Sequence, residues 1–236
     1  MATVEDLAIQ ALARCAEFGG NYPSTRSVMY RRLGVRQQQL FSAAARVNPE
    51  YFGLTADGTL DANKEISLAN TGDRTAQNPV PNMELISRIE VLANDGSQGA
   101  PAVGTEINVV PITDTGAALP PRLTIRGGTF APVGTDFAQI TQIRVFYSYR
   151  PFRFDPQDGT VTVELPEPFQ DLLVLDLARF MLRKATTMTK EVREVALAAL
   201  EAEEKESILN FEEHVDSFTK AVERGRFGRT QGNTRQ

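Results

Sequence analysis

The chain has 236 residues, of which 42% are hydrophobic and 23% charged, with a formal net charge of −5. These proportions suit a globular protein of one large or two small domains, and the acidic balance argues against a general nucleic-acid binder, which carries a basic excess or face. The single cysteine, Cys15, excludes an intrachain disulfide and any multi-cysteine zinc site.

No uncharged apolar run approaches the roughly 20 residues of a membrane-crossing helix. Glu5 and Asp6 stand where a secretion signal would carry bases. The expectation is a soluble, non-exported chain made in a reducing cytoplasm.

Residues 2–52 read as helical. Leu7, Ile9, Ala11, Leu12 and Phe18 supply an apolar face that ends at Gly19-Gly20. A second helix opens with Ser24 or Thr25 as N-cap. Val28, Leu33, Val35, Leu40, Phe41 and Ala44 carry it forward, with a break expected near Gly34 and an end at Asn48-Pro49.

Residues 53–165 change character. Gly, Pro, Asn, Asp and Thr fill the connections between short β-branched or alternating runs. Strands are expected at 65–68, 86–92, 106–112, 122–125, 139–149 and 160–165. The clearest places Ile143, Val145, Tyr147 and Tyr149 on one face, with Arg144 and Ser148 on the other. Asp158-Gly159 is a turn signal before the last strand.

Helix returns after Pro166 and Pro168. Leu172, Leu173, Leu175, Leu177, Phe180 and Met181 are apolar around so much of the circumference that this helix must be buried. A long helix follows to about residue 224, and Ile208, Phe211, Val215, Phe218 and Val222 repeat along it at intervals of 3, 4, 3 and 4. Such a narrow stripe suits helix-on-helix packing, in the core or against a neighbouring subunit.

From Lys190 to Glu223 ten acids stand against four bases. Residues 224–236 hold Arg224, Arg226, Arg229 and Arg235, three glycines and no acid. The fold class is therefore α+β: a helical bundle built from both chain ends (1–52 and 166–224), an inserted antiparallel β domain (53–165), and a flexible basic C-terminal arm (225–236).

Residues for chemistry are scarce. The lone histidine, His214, sits among Glu212, Glu213 and Asp216 on the exposed side of the long helix, with no nucleophile or orienting partner nearby. Cys15 reads as a small buried residue. Asp57, Asp61, Asp155 and Asp158 fall in contexts that turns require for their backbone alone, and EF-hand spacing is absent. Gly127-Gly128 reads as a bulge or turn, not a phosphate cradle. Phe146, Tyr147, Tyr149, Phe152 and Phe154 alternate with Arg144, Arg150 and Arg153 in a pattern that can stack single-stranded nucleic acid, but strand periodicity sends half of those rings to a core. No catalytic residue, cofactor or metal site is assigned.

One order of segments carries a resemblance. A strand ends in Tyr147-Ser148-Tyr149-Arg150-Pro151, and Leu165-Pro166-Glu167-Pro168-Phe169-Gln170-Asp171-Leu172-Leu173-Val174 leads into the buried helix and then the long one. This resembles the head-to-tail connector or adaptor subunits of tailed bacteriophages, including the tail tubular proteins of short-tailed phages. It covers residues 140–225 best and 1–50 more loosely.

The resemblance implies a structural virion protein, not an enzyme, made in the bacterial host cytoplasm and placed at the head–tail junction. It implies a homo-oligomeric ring, commonly twelve-fold, between the portal protein and the next tail or neck component, around a channel that DNA passes through. The helices would form the ring body, and the arm with Arg224, Arg226, Arg229 and Arg235 would reach the portal. The β insertion exceeds that of minimal helical adaptors, which suits a neck or tail tubular protein with an added outer domain. The rival readings are a β-rich virion module binding a receptor or carbohydrate, and a metal-dependent hydrolase using the turn carboxylates.

Overall fold

The computed structural model describes residues 2–19, 25–62, 65–67, 83–109, 122–126, 129–133, 139–151 and 153–230. It is α+β, and the chain divides into a helical unit of residues 1–48 with 151–236 and a β unit of residues 49–150.

In the helical unit, α1 (Val4–Glu17) opens with a capping box in which Thr3 and Asp6 satisfy each other's backbone N–H groups. It buries Val4, Leu7, Ala8, Ala11 and Cys15. Ile9 and Leu12, expected on the apolar face, are exposed instead, because the i, i+4 row through Leu7, Ala11 and Cys15 is the one turned inward. Phe18 is the C-cap residue and Gly19 adopts φ +73°, a conformation that favours glycine and ends the helix.

The second helix, α2 (Arg26–Val47), runs without the break expected at Gly34. Gly34 answers a different need. A Cβ there would stand 2.7 Å from the Phe154 backbone nitrogen and 3.2 Å from the Arg153 Cα. Nearby, Gln38 donates from Nε2 to the Pro151 carbonyl at 2.8 Å. Alanine for glycine in a helix normally gains about 1 kcal/mol. At this position overpacking reverses the sign, and Gly34→Ala is expected to lower the unfolding midpoint by the equivalent of about 1–3 kcal/mol. A raised midpoint in a denaturation series would refute the close approach.

The third helix, α3 (Asp171–Lys184), is the hub. Eight of its side chains, Leu172, Leu173, Val174, Leu175, Leu177, Ala178, Met181 and Leu182, are buried apolar groups, and α1, α2 and α4 all pack on it. The fourth, α4 (Lys190–Thr230), has 41 residues and so spans about 60 Å, against about 20 Å for α3. It buries Ala196, Leu200, Phe211 and Val215. The helix expected to end near residue 224 continues through Gly225 and Gly228 to Thr230. Extending a formed helix adds a hydrogen bond for each residue fixed, which offsets the roughly 1 kcal/mol penalty of each glycine.

The expected strand at 160–165 is not one. Asp158–Thr160 is a 3₁₀ turn, and the following residues lie along the N-terminus. Val4 donates to the Val161 carbonyl, Val163 donates to the Ala2 carbonyl, and Thr162 forms an isolated bridge with Thr3. The alternation is real, since Val163 and Leu165 are buried, but those side chains enter the helical core.

The β unit holds two sheets with one core. In the first, β7 (Ile140–Tyr149) lies between β1 (Gly53–Thr59) and β3 (Met83–Asn94), antiparallel to both. The second has the order β2 (Ile66–Ser67), β6 (Thr129–Val133), β5 (Arg122–Arg126), β4 (Asn108–Val109). Its β4–β5 pair is parallel, an exception to the all-antiparallel expectation. Ile143, Val145 and Tyr147 of β7 are buried with Ile89, Val91, Ile107 and Leu123, as the period-2 pattern requires. Ser148, expected on the open face, is buried as well and donates to the Pro49 carbonyl at 2.6 Å.

Candidate assembly surface

The stripe on α4 divides into covered and uncovered parts. Phe211 and Val215 are buried, Ile208 is half-buried, and Phe218 is 40% exposed. The Val222, Arg224, Arg226 and Arg229 positions continue the α4 backbone, but their side chains lie outside the described ones, and Arg235 lies outside the described residues altogether. The Phe211 ring meets Phe169 edge-on with centroids 5.0 Å apart, and the exposed His214 ring tilts against the same Phe169 at 5.1 Å. Phe169 stands there because Glu167–Phe169 is a 3₁₀ turn with proline in its first positions, leading into α3.

Between α2 and α4 lies an apolar cleft of about 110 Å³. Leu40, Ala44, Phe211 and Val215 form its buried floor, and the exposed Val47 and Glu212 stand at its lips. Farther along α4, charge replaces apolar packing. Glu204, with a side chain 5% exposed, accepts from Arg36 of α2 at 2.6 Å and also from Arg179 of α3. Glu201 lies 3.8 Å from Arg179. Arg32 of α2 pairs with Asp176 of α3 through two hydrogen bonds of 2.6 Å, the fork-to-carboxylate geometry that guanidinium favours. Burial holds the Arg36 guanidinium below its ordinary pKa. These pairs lock the register of the three helices behind the cleft.

The sequence reading missed that network. Its signal was present: Arg32 and Arg36 share a helix face at i, i+4, and Asp176 interrupts an apolar run. A charge inside a buried helix calls for a partner.

The residues weighed for chemistry are dispersed. Cys15 is buried in α1 and burial pushes its thiol pKa up, away from the reactive thiolate. Asp57 does not sit in a turn. It lies within β1 opposite Arg144 of β7, and two hydrogen bonds of 2.6 and 2.7 Å from that guanidinium hold its carboxyl below the usual carboxylate range. Asp61 accepts from the Glu65 N–H, and Asp158 accepts from the Asp155 N–H, both as turn groups. Gly127 and Gly128 lie outside the described residues, as does Phe152.

The interleaved aromatic and arginine residues separate in the same way. Tyr147 and Phe154 are core residues, while the Arg88 guanidinium stacks 4.0 Å from the centre of the Phe146 ring. Among the described residues no group of three or more histidine, cysteine or acidic side chains is placed to hold a metal ion. None of the described helices is long and apolar enough to cross a membrane. Compared with known proteins, the chain matches no family model and no curated protein.

Proposed function

We propose that this chain is a structural assembly subunit, the head-to-tail adaptor of a tailed bacteriophage, which forms a ring between the portal and the next tail component in the virion. It acts without cofactor or catalysis. The observation that carries the reading is α4, which is about three times as long as the helix it packs on. Its apolar stripe continues past Val215, the last buried residue described on it, and its sequence turns from acidic to arginine-rich at its end. A helix of that kind is suited to contacts beyond its own chain. The ring follows from symmetry, since a head-to-tail contact that closes on itself makes one.

In this reading the arginines at the end of the chain dock on an acidic portal surface, with each planar guanidinium pairing bidentately with carboxylates. Deleting residues 226–236 and mixing the purified protein with portal is the test. Portal binding should be lost while the melting temperature is kept. In the full-length protein it should weaken as salt rises, because exposed charge contacts are screened over about 8–10 Å at ordinary ionic strength. Undiminished binding after the deletion would refute docking through the arm.

A further inference from the structure

We infer that β1 is a pairing edge, which takes the β1 strand of a second copy of this chain antiparallel across a two-fold axis at Ala56. The contact uses the β unit alone and stops at two copies, so it goes beyond the ring proposed above and does not depend on it. β1 lies at the edge of its sheet, with β7 on one side. The Tyr149 N–H donates to the Phe52 carbonyl and the Leu60 N–H to the Thr141 carbonyl. The even-numbered residues of β1 therefore turn their backbone groups to β7, and the odd-numbered ones turn theirs outward. No described residue pairs with the outward groups of Thr55, Asp57 and Thr59, and all three residues are exposed.

Such edges are ordinarily blunted by bulges, proline, lysine or a covering segment. The opposite edge, β3, is protected in this way. Its register with β7 shifts at four places, Glu106 bridges to Glu90, and the Ile107 N–H donates to the Ile89 carbonyl. The edges of the second sheet, β2 and β4, have 2 residues each. β1 has no such device: its 7 residues pair with β7 in unbroken register and include neither proline nor lysine.

What fits such an edge is another strand, and the registers open to a second β1 can be ranked. The outward groups of two copies meet only when odd-numbered residues face odd-numbered ones. Centring the axis on Asp57 sets two carboxylates directly opposite, which destabilises a strand pair. Centring it on Thr55 leaves Thr59 beyond the end of the opposing strand. Centring it on Ala56 avoids both and overlaps β1 from end to end. Thr55 then exchanges backbone hydrogen bonds with Asp57 of the second copy, and the Thr59 N–H reaches the opposing Gly53 carbonyl. The two Asp57 side chains come no closer than the diagonal spacing of about 7–8 Å, each held by Arg144 of its own chain. On the other face, Ala56 and Leu60 belong to the core cluster, whereas Leu54 is 47% exposed. This register lays Leu54 diagonally between Ala56 and Leu60 of the second copy, so the two cores join across the seam.

The test reads the register through introduced thiols in the full-length protein, with the unaltered chain, whose Cys15 is buried, as the baseline. Ala56→Cys places one thiol from each copy at the axis. Opposed Cα atoms of such a non-hydrogen-bonded pair stand about 4.5 Å apart, within the span of a disulfide. Thr59→Cys is the control: position 59 is exposed, but in this register its two copies stand about 20 Å apart. Mild oxidation followed by denaturing, non-reducing electrophoresis should give a linked dimer for Ala56→Cys and none above the baseline for Thr59→Cys. Adding Leu54→Lys to Ala56→Cys should abolish the link, because a charge on an exposed edge opposes pairing, while the melting temperature stays within a few degrees. The readout is covalent and pairwise, so it is the same whether or not the subunits also form a ring. No linked dimer from Ala56→Cys, equal linkage at positions 56 and 59, or linkage that Leu54→Lys leaves unchanged would each overturn the β1 pairing and leave the ring reading to its own test.

Discussion

Phe211→Ala is expected to destabilise the helical unit by about 3–5 kcal/mol, the range for an aromatic residue truncated in a packed core. The side chain is almost wholly buried and packs edge-on against Phe169. Its removal loses burial and an aromatic contact while enlarging a cleft that two rigid helices hold open. At roughly 2–4 °C per kcal/mol for a chain of this length, the melting transition should fall by about 10 °C. Phe218→Ala, on the exposed part of the same stripe, should move it by no more than a degree or two. Equal effects at the two positions would mean that the helix is turned differently from the orientation described. The contrast makes thermal melting a test of register as well as of stability.

The second large effect is expected at Glu204. Glu204→Gln keeps the shape and removes the charge, which leaves Arg36 and Arg179 facing each other with only indirect compensation, Asp176 acting on Arg36 and the exposed Glu201 lying 3.8 Å from Arg179. Breaking a buried ion pair from one side costs about 3–5 kcal/mol, because the stranded charge keeps its desolvation penalty. The control is Glu201→Gln. That carboxylate is 67% exposed, and an exposed pair is worth at most about 1 kcal/mol. A denaturant titration should therefore separate the two substitutions by several kcal/mol. If they coincide, water reaches the Glu204 site and the network is peripheral.

Fold class was legible in the sequence because each class of element has its own period. The run from Leu172 to Met181 is apolar around most of its circumference, broken only by Asp176 and Arg179, and such a helix belongs in a core. The alternation of Ile143, Val145 and Tyr147 sets the buried face of β7. Less legible was anything that depends on a partner distant in sequence. Residues 160–165 alternate like a strand yet line the helical core, because their hydrogen bonds run to residues 2–4, which no local pattern announces. β1, with its Asp57-Gly58 pair, reads as a turn, and it is a strand because Arg144 stands opposite Asp57. Gly34 reads as a breaker. It is a point of contact with Phe154, some 120 residues later in the chain.

The candidate surface was half visible. Spacing alone picked out Phe211 and Val215, and both are buried. It could not indicate where coverage stops along the stripe, because that depends on the lengths of the neighbouring helices. The ion pairs behind the cleft required knowing which face of α2 meets α3, information that lives in the packing and not in either segment.

The two-part build of the helical unit has a consequence for synthesis on the ribosome. α1 and α2 are made first, yet the residues that cover them lie beyond position 150, and Val215 is reached only after some 170 further residues. At about 5–20 residues per second, the nascent N-terminal helices wait roughly 10–30 s with their apolar faces uncovered. The β unit, contiguous from 49 to 150, emerges whole during that interval and can close its core first. On this timing the β unit is expected to fold before the helical unit can close. The early helices are the segment for which a chaperone on the emerging chain matters most, because transiently exposed apolar surface is what drives aggregation.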